Sequence, residues 1–179
     1  MAIKHKSQRV AVLVDIQNLY HSAKNLYSAR VNFQNLLKEI VAGRQLIRAL
    51  AYVVRSEEPG EAAFFEALLH SGFDIKSKEL VIYPDGLKKA DWDVGLAVDA
   101  IRISEITDTI ILVSGDGDFT PLVEYLKAKG RQVEVVAFEE TASSRLKELA
   151  DDFLDIASQP DLFLIKTPYK KKLFSFGKK

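Results

Sequence analysis

The sequence predicts an α/β fold, a three-layer α/β/α sandwich around a mostly parallel central sheet. Two observations carry this. Continuous β-branched and aliphatic runs recur along the chain, RVAVLVD over Arg9 to Asp15, TIILVS over Thr109 to Ser114 and QVEVVAF over Gln132 to Phe138. Runs without polar alternation mark strands buried on both faces. Segments with helical spacing lie between such runs, so right-handed crossovers place helices on both sides of a parallel sheet.

Taken in order, Arg9 to Asp15 is the first strand, with Asp15 at its C-terminal end. Ile47 to Val54 reads as a second strand, and Phe73 to Lys78 as a weaker one after a helix over Glu61 to His70. A long helix spans Trp92 to Ile106, followed by the Thr109 to Ser114 strand and a helix over Pro121 to Lys129 that Gly130 closes from a C′ position. After the Gln132 to Phe138 strand, Thr141 to Ala150 reads as a helix capped by Thr141 or Ser143, and Phe153 to Ile156 as a last edge strand. Beyond Pro160 the pattern decays. One domain over residues 1–160 is expected, with a lysine-rich tail over 161–179 whose aromatic residues Tyr169, Phe174 and Phe176 suit either disorder or contact with phosphates and bases.

Bulk composition narrows the function. A chain of 179 residues that is 47% hydrophobic can bury a full core as one domain. The 25 basic side chains balance the 25 acidic ones, so any polyanion must be met by local patches rather than a global field. The absence of cysteine excludes disulfides, thiolate zinc sites and a cysteine nucleophile. The apolar stretch Val10 to Val14 is too short for a signal or a membrane span, and a cytoplasmic protein is expected. Apolar positions in Phe153 to Leu164 would suit the edge of a homodimer.

The chemistry concentrates at predicted strand ends, where open parallel sheets bind ligands. Asp15 ends the first strand, and Ser114-Gly115-Asp116-Gly117-Asp118 ends another, with the glycines expected to permit a tight turn that aims both carboxylates at one point. Asp118 alone reads as the N-cap of the following helix, an explanation that Asp116 escapes. Asp93 lies in the first turn of the Trp92 to Ile106 helix behind a capping Asp91. At about 100° per residue, Asp93 shares a face with Ala97, Ala100 and Ser104, while Asp99 points elsewhere. Gathered carboxylates without a neutralising partner repel one another, so Asp15, Asp93, Asp116 and Asp118 are expected to hold a divalent cation, and oxygen-only ligands favour Mg²⁺ or Mn²⁺. Such ions support in-line displacement at a phosphodiester with no protein nucleophile. His5 lies in the polar N-terminus and His21 and His70 in two helical segments, none at a predicted strand end, which leaves a serine triad without its base. Gln17 stands where a phosphatase with a carboxylate nucleophile would need its second aspartate.

Three stretches then resemble one known family. Val14-Asp15-Ile16-Gln17-Asn18-Leu19 matches its opening D-x-x-N, and Asp93 to Asp99 and Leu112 to Phe119 match its two later acidic motifs. On these the chain is identified as resembling the NYN family, the LabA-like branch of the PIN-like nucleases, whose Rossmann-like fold would span roughly Arg9 to Ile156. The resemblance implies a metal-dependent ribonuclease in which Asp15, Asp93, Asp116 and Asp118 bind the ion and Asn18 hydrogen-bonds a metal-bound water or a substrate phosphate. Asp99 matches as well and ranks second. It also implies an alternative, a non-catalytic regulatory module of the same fold that binds RNA or protein. Relatives often carry a lysine where Ala90 stands, and Lys89 is the nearest here. Contacts to RNA would draw on Lys24, Arg30, Arg55, Lys88, Lys89 and Arg145, with Tyr20, Tyr27, Tyr83 and Trp92 as stacking candidates.

Overall fold

The computed structural model describes residues 3–55, 60–82, 88–89 and 91–166. Six strands form one parallel sheet: β1 (Arg9–Asp15), β3 (Gln45–Arg55), β4 (Asp74–Glu79), β7 (Thr109–Val113), β8 (Gln132–Ala137) and β9 (Asp152–Asp155). Between them run α1 (Ile16–Tyr27), α2 (Phe33–Val41), α3 (Glu61–His70), α4 (Asp93–Ser104), α5 (Thr120–Ala128) and α6 (Ser144–Leu149). Two short antiparallel pairs complete the chain. β2 (Ala29–Val31) pairs with β10 (Leu164–Lys166), which follows α7 (Pro160–Phe163), and β5 (Val81–Ile82) pairs with β6 (Lys88–Lys89).

The strand order is β4-β3-β1-β7-β8-β9. The chain runs from β1 outward through β3 to β4, then returns across the sheet to lay β7 on the other side of β1. The direction of winding therefore reverses between β1 and β7, and the segments leaving these two strands diverge to opposite faces. Such a reversal opens a crevice at the C-terminal ends of the strands, the ligand position of doubly wound sheets.

Side-chain alternation along β1 divides the core. Val10, Val12 and Val14 join a cluster with Leu19 of α1, Leu36 of α2, Leu68 of α3 and Phe163 of α7. Ala11 and Leu13 join a second with Leu96 of α4, Leu126 of α5 and Leu146 of α6. The expected three layers are thus present, with β1 and β7 buried on both faces as their unbroken apolar runs require.

The elements depart from the sequence reading in three places. Helix α1 gives bounds to the helical segment expected around His21, and α2 occupies a stretch that strand and turn signals had left unassigned. The chain past Pro160 remains in the fold, because Phe163 is buried and Leu164 faces Val31 across the β2–β10 pair. The apolar residues expected to form a dimer edge serve the chain itself: Ile156 and Phe163 are buried in the core, and Leu154, Leu162 and Leu164 pack against it. The aromatic tail over 167–179 lies outside the described residues, and no helix among those described is long and apolar enough to cross a membrane.

Candidate metal centre

The crevice at the reversal point is a cleft of about 220 Å³ lined by Asp15, Gln17, Asn18, His21, Asp91, Trp92, Asp93 and Asp116. Three elements converge on it. The end of β1 delivers Asp15 and the first turns of α1, the start of α4 delivers Asp93, and the turn after β7 delivers Asp116, with the exposed Asp118 close to it.

Asp93, Asp116 and Asp118 each place a carboxylate oxygen within 4.8 Å of the others. An octahedral Mg²⁺ shell, at about 2.1 Å per ligand, spans about 4.2 Å between opposite oxygens. A small side-chain rotation would bring these three carboxylates into that range, so the residues present fit a hard divalent cation. Asp15 stands behind this group. Its Oδ1 accepts from the Asn18 backbone N–H at 3.1 Å, making it the N-cap of α1, and its Oδ2 accepts from the Ser114 hydroxyl at 3.2 Å. The structure thus brings three of the four expected aspartates to one point and sets the fourth beside them in the same cleft.

Two expectations about the turn after β7 are corrected. Asp116, not Asp118, is the cap: its carboxylate accepts from the Asp118 N–H at 3.0 Å and starts a single 3-10 turn over Gly117–Phe119. Neither Gly115 nor Gly117 has a positive φ. Their lack of a side chain matters through close approach instead. A Cβ on Gly115 would lie 3.0 Å from the Ala142 backbone, and one on Gly117 would lie 3.1 Å from the Ser143 hydroxyl.

Asn18 ties the two turns together. Its side-chain oxygen accepts from the Gly115 backbone N–H at 3.0 Å. That bond sets the amide orientation and leaves the NH₂ as the group that can donate into the cleft. Ser114 extends the bracing by accepting from the Asp116 N–H at 3.2 Å.

The electrostatics are those of a site short of positive charge. Burial first, then the neighbouring charges of Asp116, Asp91, Asp15 and Asp118, push the Asp93 carboxyl above its usual range. Burial also pushes Asp15 up, against the hydrogen bonds from Asn18 and Ser114.

The motif around Asp93 divides by function. Asp99 faces away, accepting from the Tyr52 hydroxyl at 2.8 Å and from Lys76 Nζ at 2.6 Å, so it joins α4 to β3 and β4. The expected separation of Asp93 from Asp99 therefore holds. The N-cap position of α4 is Trp92, with no side-chain cap, which corrects the capping reading of Asp91. The Trp92 indole donates to the Val53 carbonyl at 2.9 Å, meets Tyr52 edge-on at 5.4 Å and carries Lys78 Nζ 4.4 Å above its ring. Gly95 is needed beneath that ring, since a Cβ there would lie 2.7 Å from the indole.

The remaining candidates sort by partner. Tyr27 donates to Glu140 at 2.7 Å and stacks on Phe138, Arg145 pairs with Glu124 at 2.9 Å, and Arg55 lies 3.9 Å from Glu61. Arg30 is exposed on β2. Tyr83 and the side chains of Lys88 and Lys89 lie outside the described residues. The cleft residue that sequence reasoning left unplaced is His21, and the signal that could have found it is its helical spacing of three from Asn18.

With this geometry in hand, comparison decides the family. The family model of the NYN domain matches residues 9–157, from the first residue of β1 to just past β9. The chain belongs to the NYN domain family. Low amplitude and bright protein LabA of Synechococcus elongatus is 25% identical over 162 residues, covering 84% of this chain and 85% of that protein. An uncharacterized protein of Methanocaldococcus jannaschii is 29% identical over 177 residues, covering 96% of this chain and 65% of that one. Among solved structures, a protein of unknown function from Vibrio parahaemolyticus superposes with a TM-score of 0.82 at 33% identity, over 92% of this chain and all of that one. The NYN match encloses the three motifs that build the cleft, and all four aspartates fall within it.

Proposed function

We propose that this NYN domain is a metal-dependent ribonuclease that hydrolyses phosphodiester bonds at the Asp93, Asp116 and Asp118 cluster, with Asp15 completing the site. The observation that carries the proposal is the gathering of these three carboxylates within 4.8 Å, at the reversal point of the sheet. Membership in the NYN domain family, whose motifs resemble those of the PIN-like nucleases, supports it.

Asp93, Asp116 and Asp118 would hold Mg²⁺ or Mn²⁺, and Asp15 would hold it directly or through a water. The bound ion would supply Lewis-acid stabilisation of the charge that develops on the phosphodiester. The protein's own part is positioning. Asp15, Asn18 and Ser114 brace the two turns against each other, so the carboxylates are aimed before substrate arrives. The Asn18 NH₂ then offers a donor for a phosphate oxygen or an attacking water.

Cleavage of a labelled single-stranded RNA with Mg²⁺, Mn²⁺ or EDTA, beside Asp116→Asn, tests this. Asparagine keeps the cap to the Asp118 N–H, so the variant removes charge while leaving the turn. We expect metal-dependent products from the wild type and a loss of about a hundredfold or more in the variant. RNA binding without products under any metal would favour a regulatory module of the same fold.

A further inference from the structure

The wall of the cleft that α1 supplies carries side chains to which the metal-centred reading gives no role. His21 lines the cleft with Asp15, Asn18, Asp93 and Asp116. Its ring meets that of Tyr20 edge-on at 5.5 Å, and Tyr20 is 44% exposed, so the pair offers aromatic surface to solvent beside the cleft. One turn on, Lys24 Nζ lies 3.3 Å from the Tyr20 hydroxyl and 5.3 Å from its ring centroid.

Elimination sharpens the case. Trp92 is fastened to Val53 and Tyr52, and Tyr27 to Glu140 and Phe138, whereas Tyr20 is exposed and carries the flexible end of Lys24 over its ring. Arg55 and Arg145 sit beside carboxylates, whereas Lys24 bonds a neutral hydroxyl and keeps its charge for an incoming anion. The position also answers an electrostatic need. An acidic cleft in a chain of net charge zero repels a polyanion, and a strand must be held just outside the carboxylates before the chemistry can act on it. From Asn18 to Lys24 is six residues of helix, about 9 Å along the axis.

We propose that Tyr20, His21 and Lys24 form a nucleotide-binding subsite on α1, one that stacks an unpaired base on the Tyr20–His21 pair and holds its phosphate with Lys24. The subsite takes its substrate class from the ribonuclease reading above and adds that the strand is unpaired where it crosses α1, because a base in a duplex cannot offer its face.

The test is binding of a short labelled oligouridine to the full chain, with Ca²⁺ in place of Mg²⁺ to slow turnover, read by anisotropy over a range of salt. Tyr20→Ala and His21→Ala each weaken binding about fivefold or more, and Tyr20→Phe restores it. Lys24→Gln lowers the slope of log affinity against log salt by about 0.7, the loss of one phosphate contact on a single strand. If the wild type cleaves RNA while all three variants bind with unchanged affinity and slope, the subsite is overturned and the nuclease stands. If the variants show these losses but no metal yields products, the subsite stands and the nuclease reading falls. A wild type that neither binds nor cleaves the oligonucleotide overturns both.

Discussion

At the scale of single residues, the motifs mix groups that face a ligand with groups that hold those in place. Asp93 and Asp99 sit six residues apart in one helix, yet one faces the cleft and the other bonds Tyr52 and Lys76. Residue type alone could not separate them, although helical phase did. Gly95 shows the converse. Nothing in its backbone requires glycine, and its reason is the Trp92 ring above it. Gly95→Ala should push that ring off the Val53 carbonyl and destabilise the fold by about 1–3 kcal/mol, measurable by urea denaturation. Wild-type stability in that variant would mean the indole has room to move.

At the scale of elements, α2 escaped sequence reading because it is short, nine residues that give little more than two turns of helical spacing. Its ends do carry signals, Asn32 as N-cap and Gly43 at φ +72 after Ala42, whereas α1 ends on Ser28 in the left-handed region with no glycine to mark it. Like α2, α5 is followed by a glycine, Gly130 at φ +75, with the Arg131 N–H bonded to the Leu126 carbonyl, and its limit was legible. The end of α2 is also held by a distant contact. Buried Arg44 donates to the Ile40 and Val41 carbonyls and pairs with buried Glu134 of β8, whose Oε2 lies 2.9 Å from it. Arg44→Met should destabilise by about 3 kcal/mol, because it removes the buried cation from Glu134 and leaves that carboxylate to the Gln132 amide at 2.7 Å and the Lys4 ammonium at 3.5 Å. Arg44→Met combined with Glu134→Leu should recover part of that loss, and a purely additive double variant would argue against the pair.

At the scale of the whole molecule, the site opposes stability. A carboxyl whose pKa lies higher in the folded chain than in the unfolded one binds more protons when folded, so stability falls as pH rises from about the ordinary carboxylate value of 3.8 through the raised one. Asp93, raised by burial and by Asp116, Asp91, Asp15 and Asp118, belongs to this class, as does Asp15. Asp93→Asn should therefore raise the unfolding midpoint of the metal-free protein at pH 7, by roughly 2–4 °C, with the difference shrinking below about pH 4. Mn²⁺ should raise the wild-type midpoint and leave the variant's nearly unchanged. Equal midpoints at pH 7 and an equal response to Mn²⁺ would show that Asp93 neither strains the fold nor binds the ion.

The sequence by itself determined the fold class, the alternation of strands and helices, and the three motifs that meet at the cleft. It could do so because unbroken apolar runs, helical spacing and strand-end aspartates are local signals, each complete within about ten residues. Only the tertiary structure decided which residues share a space. It placed β7 beside β1 and so set Asp116 and Asp118 against Asp93, made Asp116 rather than Asp118 the cap, turned Asp99 to Tyr52 and Lys76, and brought His21 into the cleft. It also drew Leu164 back onto Val31, a pairing across more than a hundred residues. The physical reason is that a strand order or a ring over a glycine depends on segments far apart in the chain, whose contacts exist only once the sheet has closed.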